Sequence, residues 1–292
     1  MVPLTDTASQ YRDRALQALS DLPPFSPVLD RLLATLSNEG VSISRVSEII
    51  ENDTVIAGNV LKLVNSALYG RRGTVNSIRH AVSLLGINKL RNAVFAMSLT
   101  RVWNSVRTAP GWSTARFNQR SVACGLLCDC LAQRLPIAYP EGAFVAGLFH
   151  DLGQLLIAVS LHEEYLQIQE LMASKFGSAI DCELKVLGIS HADLSADALA
   201  NWNLPPAIQR AVRFHHAPQA EPKDPVHGKF GLALAIACSE AYSDLTSASV
   251  TRRQTDDEPQ HEPFAPLGIT SDKAEFLNEY QTELDALVGV FR

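Results

Sequence analysis

Five side chains in the second half of the chain have the types and spacing to act together: His150-Asp151 in GLFHDLGQ, His191 in GISHADLS, and His215-His216 in VRFHHAPQ. Imidazoles with a carboxylate suit a divalent iron, manganese or zinc ion, and an ion so held could activate a water for attack on phosphorus. Each signal is weak alone. Neighbours on a helix point about 100° apart, so a His-Asp pair shares one ion only with help from elsewhere. Satisfied histidines at helix ends are the plainer reading of spacing alone. Of the other histidines, His80 and His162 fall in amphipathic helices and are expected to be partly exposed, and His227 and His261 fall in polar loops. Arg71-Arg72 is a candidate contact for a phosphate or an acidic partner, although a solvated loop is the plainer reading. There is no Gly-rich phosphate loop, no GxSxG and no paired-carboxylate signal, so no catalytic residue is assigned.

These groups must be positioned by helices. Leu and Ala are abundant, strand-like alternation is absent, and apolar residues recur at three- and four-residue spacing. Ser26-Pro27 predicts a helix start, with Gly40 as its stop; Ser42, Asp53 and Ser77 open further helices, and Gly86 closes one. A longer helix is expected over about 88–103, a joint over 104–111, and a second lobe with helices near 112–135, 141–158, 160–176, 178–188, 192–202, 205–215 and 228–244. Residues 246–266 are polar and Pro-bearing and read as a linker. A last amphipathic helix is expected over about 271–290. The fold class is therefore all-α: a short-helix N-terminal bundle packed against a second helical lobe, preceded by a helical extension over 1–21.

Composition narrows the function classes. The 292 residues carry 25 Lys+Arg against 31 Asp+Glu, a net charge of −6, and 47% are hydrophobic. Such a chain is neither disordered nor equipped with the basic face that nucleic-acid binding needs. No secretory signal is evident, and the apolar runs Ala143–Phe149 and Leu155–Val159 fall far short of the roughly 20 residues of a membrane span. A cytoplasmic location is expected, with neither nucleic acid nor membrane as partner. The five cysteines (Cys124, Cys128, Cys130, Cys182, Cys238) include no CxxC pair and read as buried small hydrophobes.

The first lobe carries more specific signals. Leu22-Pro23-Pro24 with Pro27, Ile50-Glu51-Asn52-Asp53, Asn65-Ser66-Ala67 followed by Tyr69-Gly70, the Ile78–Gly86 helix and Leu90-Arg91-Asn92 together resemble the HDOD family. These are bacterial output domains related to HD phosphohydrolases. The usual Pro after the acidic residue of the third helix is Thr54 here. The resemblance runs through GLFHDLGQLL and the paired histidines and covers about residues 22–245, divided into a 22–103 lobe and an HD-like 112–245 lobe.

That resemblance implies a metal pocket with pieces missing. His150-Asp151 match the central His-Asp of the HD pattern, His191 the next histidine, and His215-His216 the following pair. The first histidine of the pattern is replaced by Arg120, and the last aspartate by Cys238 or Ser239; no GYP signature follows His191. A permanent cation at 120 would repel an ion, fill the pocket and pair with Asp151, or else receive a phosphate. The expected function is thus a non-catalytic signal-transduction or regulatory protein acting on signalling proteins, with no cofactor or a single divalent transition metal (iron, manganese or zinc). The alternatives are a metal-dependent phosphohydrolase acting on a nucleotide or cyclic dinucleotide, and a sensor of a nucleotide second messenger.

Overall fold

The computed structural model describes residues 6–35, 42–66, 69, 74–137, 139–221, 228–247, 264–269 and 273–291. Arg71, Arg72, His227, His261, the Gly40 helix stop and most of the 246–266 linker lie outside the described residues. Among the described residues the chain is all-α, with no strand.

Helix α1 spans Asp6–Gln17, and α2 to α6 follow as Pro27–Thr35, Ile43–Glu51, Thr54–Val64, Ile78–Leu85 and Ile87–Asn104. Their starts sit where the capping residues place them. The Ser26 hydroxyl accepts from the Leu29 N–H at 3.2 Å, Ser42 from Arg45 at 3.2 Å, and Ser77 from His80 at 3.2 Å. The Asp53 carboxylate accepts from Val55 and Ile56, each at 3.0 Å. Each such bond satisfies an otherwise orphaned N–H of the first turn. Asn65 holds the α4–α5 connection shut: its amide N donates to the Leu61 and Val75 carbonyls, and its oxygen accepts from the Val75 N–H, all at 2.8 Å. Gly86 takes φ +79° between α5 and α6, a conformation open to glycine and strained for other residues.

Helix α6 is buried on nearly every face, as expected of a helix inside a core rather than on its surface. At its end the fully buried Trp103 meets Phe117 edge-on at 5.0 Å and Phe149 at 6.1 Å, joining the N-terminal bundle to the second lobe. Truncating such a side chain costs about 3–5 kcal/mol.

The second lobe comprises α7 (Thr114–Ala132), α8 (Ala143–Phe149), α9 (Leu152–Ser160), α10 (His162–Ala173), α11 (Ala179–Leu187), α12 (His191–Asn201), α13 (Pro206–Arg213) and α14 (Gly228–Ser247), and the last helix is α15 (Lys273–Phe291). Helix α7 is its axle, packed by α6, α8, α14 and α15. It meets α8 where Gly125 faces Gly147; a Cβ on Gly147 would lie 2.6 Å from the Gly125 Cα, so the approach requires glycine. Both ends of the chain dock on this body. Helix α1 lies against α9 and α12, with Arg12 Nε 2.6 Å from Asp197. Helix α15 lies across α4 and α7, held by a Lys89–Glu283 ion pair and by Arg134 Nη2 at 2.9 Å from Glu279.

Two sequence expectations need correction here. The segment Pro140–Ser160 is 21 residues long with mean hydropathy 1.5, long and apolar enough to cross a membrane, whereas the sequence reading found only much shorter runs. Most of it (89%) is buried inside the protein. Nor is it the single helix expected over 141–158: α8 stops at Phe149, and α9 restarts at Leu152. The interruption falls on His150 and Asp151, between the apolar runs Ala143–Phe149 and Leu155–Val159.

Candidate functional site

That interruption solves the problem of adjacent residues pointing apart. With His150 and Asp151 in a turn rather than a helix, both side chains enter one buried space between α7, α12 and the turn after α13. His191 opens α12, and its N-cap Ser190 accepts from the Asp193 N–H at 3.2 Å. His215 and His216 leave the end of α13 on a turn, with ring centroids 4.0 Å apart.

The five sequence-assigned residues converge. Asp151 Oδ1 lies 3.2 Å from His191 Nε2 and 3.8 Å from His215 Nε2, while Oδ2 lies 3.3 Å from His150 Nε2. His216 Nε2 is 3.0 Å from His191 Nε2. Asp151, His191, His215 and His216 each offer one donor atom, all within 4.8 Å of one another. His150 instead faces Cys124 and Cys238, with which it forms a second such group.

Each ring is fixed from behind. The Nδ1–H of His150 donates to the Gly147 carbonyl at 2.7 Å, and that of His215 to the Val212 carbonyl at 2.6 Å. His191 Nδ1 is 2.8 Å from both Glu183 oxygens, and its backbone N–H donates to Glu183 at 2.7 Å. All three rings therefore turn Nε2 inward. Outer partners of this kind, a carbonyl or carboxylate on the far nitrogen, are what orient metal-ligating histidines. The His215 Nε2 makes no hydrogen bond in this arrangement.

Arg120 reaches in from α7, with Nη2 3.6 Å from Asp151 Oδ2. It thus stands beside His150 and Asp151, as the resemblance implied. It engages Oδ2, and Oδ1 is turned to His191 and His215. The sequence left open whether Cys238 or Ser239 takes the place of the last aspartate. Cys238 is buried against His150, and Ser239 is exposed.

Charge follows from this packing. Burial disfavours the anion at Asp151, but His150 and His191 outweigh it and hold the carboxyl well below its ordinary value. Burial likewise opposes a charged His191, yet Glu183 and Asp151 raise it to about 10. His215 is pushed well below the ordinary histidine value by burial and by the surrounding imidazoles, and His216 to about 4 by burial and His191.

Beside the cluster opens a cleft of about 430 Å³, bordered by Trp112, Arg116, Gln154 and Tyr165, with Arg120 and Glu183 shared between cleft and cluster. The sequence reading missed Glu183, the cleft residues and the role of Cys124. Glu183 looks like a surface residue of α11, and only the folded chain puts it behind His191. Cys124 carried a usable signal: it lies one turn from Arg120, on the same face of α7. His80 and His162 are exposed, away from the cluster.

The HDOD domain matches this chain over residues 22–218. The chain belongs to the HDOD family. Bacterial relatives include an uncharacterised protein of Treponema pallidum (strain Nichols), 27% identical over 214 residues, covering 73% of this chain and 40% of that protein. YuxH of Bacillus subtilis (strain 168) is 30% identical over 154 residues, covering 51% of this chain and 35% of YuxH. The chain thus spans well under half the length of these curated relatives. Among solved structures, an HDOD domain protein of unknown function from Geobacter sulfurreducens has a TM-score of 0.74 at 22% identity, with 97% of each chain covered. A candidate phosphohydrolase from Shewanella amazonensis SB2B has 0.72 at 24%, covering 96% of this chain and 98% of that one. A candidate signal transduction protein from Marinobacter aquaeolei VT8 has 0.70 at 19%, covering 98% and 67%. At these identities the likeness establishes the all-α HDOD fold. The matched segment closes just after His216, so α1, α14 with Cys238, and α15 lie outside it.

Proposed function

We propose that this HDOD protein is a signalling output module of the cytoplasm that carries one divalent transition metal as a conformational clamp, performs no phosphoryl chemistry, and acts by contact with signalling proteins. The observation that carries this reading is Arg120 on Asp151 at the floor of the cleft. A hydrolytic metal keeps an open position for water or substrate. Here four protein donors from Asp151, His191, His215 and His216 converge on one point, and a fixed guanidinium covers the cleft side of the carboxylate. An ion at that point would tie the α8–α9 turn to α12 and to the end of α13. Three backbone segments would then be held in one arrangement that a partner can read.

The test combines composition with turnover. Purified protein should carry iron, manganese or zinc, lose close to one equivalent of it on His191→Ala, and leave a generic phosphodiester such as bis-p-nitrophenyl phosphate and cyclic dinucleotides intact with added Mn²⁺ or Fe²⁺. Turnover that disappears in His191→Ala and Asp151→Ala would establish the phosphohydrolase instead.

The cleft favours a second reading, a nucleotide-sensing role. Trp112 and Tyr165, with ring centroids 6.0 Å apart, border the space that Arg116 and Arg120 also border. Aromatic faces accept a base, and guanidinium matches phosphate oxygens in a fork. Isothermal titration with a cyclic dinucleotide, repeated on Arg116→Ala, tests this role; no heat from the native protein would dismiss it.

A further inference from the structure

Behind His150, on the side of Asp151 away from the other histidines, two thiols meet. Cys124 on α7 and Cys238 on α14 are both buried, and their sulfurs are 3.0 Å apart. His150 closes the triangle, one donor atom from each residue lying within 4.8 Å of the others. Because its Nδ1–H is engaged by the Gly147 carbonyl, the nitrogen presented to the sulfurs is Nε2.

We propose that Cys124, His150 and Cys238 form a second metal site, thiolate-rich and separate from the four-donor group, that takes zinc or another thiophilic ion.

The donor set points to that class. Two thiolates with one imidazole prefer zinc or copper(I) over magnesium, calcium or manganese. Zinc bonds of about 2.3 Å to sulfur and 2.0–2.1 Å to nitrogen place tetrahedral neighbours roughly 3.3–3.8 Å apart. The three donors lie within 4.8 Å of one another, and the sulfurs, 3.0 Å apart, must part by side-chain rotation to admit the ion. Asp151 Oδ2 lies 3.3 Å from His150 Nε2, next to this group. Oδ1 of the same carboxylate faces His191 and His215, so Asp151 stands between the two groups.

Charge balance explains why this set tolerates Arg120. Two thiolates neutralise zinc, so the ion they hold presents little net charge to the guanidinium, and Asp151 neutralises Arg120. The departures from the HD pattern are then complementary: where an arginine replaces a histidine, sulfur anions supply the charge that keeps an ion in place. Cys182 on α11 is remote from the group and serves as a control.

The experiment is a cobalt(II) titration of reduced, metal-stripped full-length protein, read by the intense thiolate-to-cobalt charge-transfer absorption. The band should saturate at one equivalent, vanish in Cys124→Ser and Cys238→Ser, and survive in Cys182→Ser and His191→Ala. His191→Ala separates this site from the four-donor group, so either proposal can fail alone. A second readout needs no variant: zinc should slow alkylation of Cys124 and Cys238 relative to the equally buried Cys128 and Cys182. Cobalt binding without the band, a band that survives Cys124→Ser, or isolation of Cys124 and Cys238 as a disulfide with no protection by zinc would overturn the site.

Discussion

Glu183 accepts two hydrogen bonds from one residue, the backbone N–H of His191 at 2.7 Å and its ring Nδ1–H at 2.8 Å. The carboxylate so fixes where α12 begins and which nitrogen of His191 faces Asp151. Glu183→Gln keeps one acceptor and turns the other into an amide donor aimed at a donor. Affinity for the clamp ion should fall about 10–100-fold in chelator competition, while the circular dichroism spectrum stays helical.

Arg120 is only partly shielded, its side chain 23% exposed, and Asp151 keeps its imidazole neighbours when the arginine is removed. Breaking a fully buried ion pair costs about 3–5 kcal/mol; Arg120→Ala should cost less, about 1–2 kcal/mol in urea unfolding. Arg120→His should raise metal content above that of the native protein, as measured by elemental analysis.

Gly153 has no room for a side chain. Its added Cβ would lie 2.1 Å from the His191 carbonyl oxygen, and its N–H donates to Ser195 Oγ at 2.7 Å. Gly153→Ala must push α9 from α12, at a cost of about 3 kcal/mol or more, and should reduce metal uptake by shifting His191. Gly58, exposed within α4 with open space at its Cβ, gives the opposite sign. Gly58→Ala should stabilise by about 0.5–1 kcal/mol in the same unfolding experiment.

Asp129 supplies a pH dependence away from the metal groups. Burial raises its carboxyl to about 6 despite hydrogen bonds from Asn92 and Gln133, with Glu283 adding to the rise and Arg91 opposing it; Lys89, Tyr69 and Cys130 complete its charged and titratable surroundings. Between about pH 4 and 6 the folded protein holds a proton that the unfolded chain releases, so this group's contribution to stability falls as pH rises through that window. The loss is about 2 kcal/mol, discounted for partial exposure. Asp129→Asn should remove it, making the variant more stable than wild type at pH 7 and nearly equal at pH 4 in paired thermal melts.

The helical elements were legible because their causes are local. Ser26, Ser42, Asp53 and Ser77 cap the first turns that follow them, and Gly86 stops one helix and starts the next. The break at His150-Asp151 was not legible, since residues 141–158 read as one helix. What interrupts it is the cluster that the two side chains enter, a tertiary fact. The convergence of the five metal-type residues was expected from a family pattern and not from spacing, because they come from three separate segments. Glu183, Cys124 and Trp112 were missed for the same reason: an acid, a small hydrophobe and an aromatic residue are ordinary in helices until their neighbours across the fold are known.

The docking of α14 and α15 on α7 separates the family boundary from the folding boundary. Residues 22–218 carry the HDOD pattern, yet a fragment trimmed to them would strip two long helices from α7 and leave the sides of that helix that carry Cys124 and Leu126 bare to water. It would be expected to aggregate on expression. It would also lack the Cys238 thiol, so even a refolded fragment would misreport the ion content of the intact chain. Limited proteolysis of the whole protein is the better guide to where this unit can be cut.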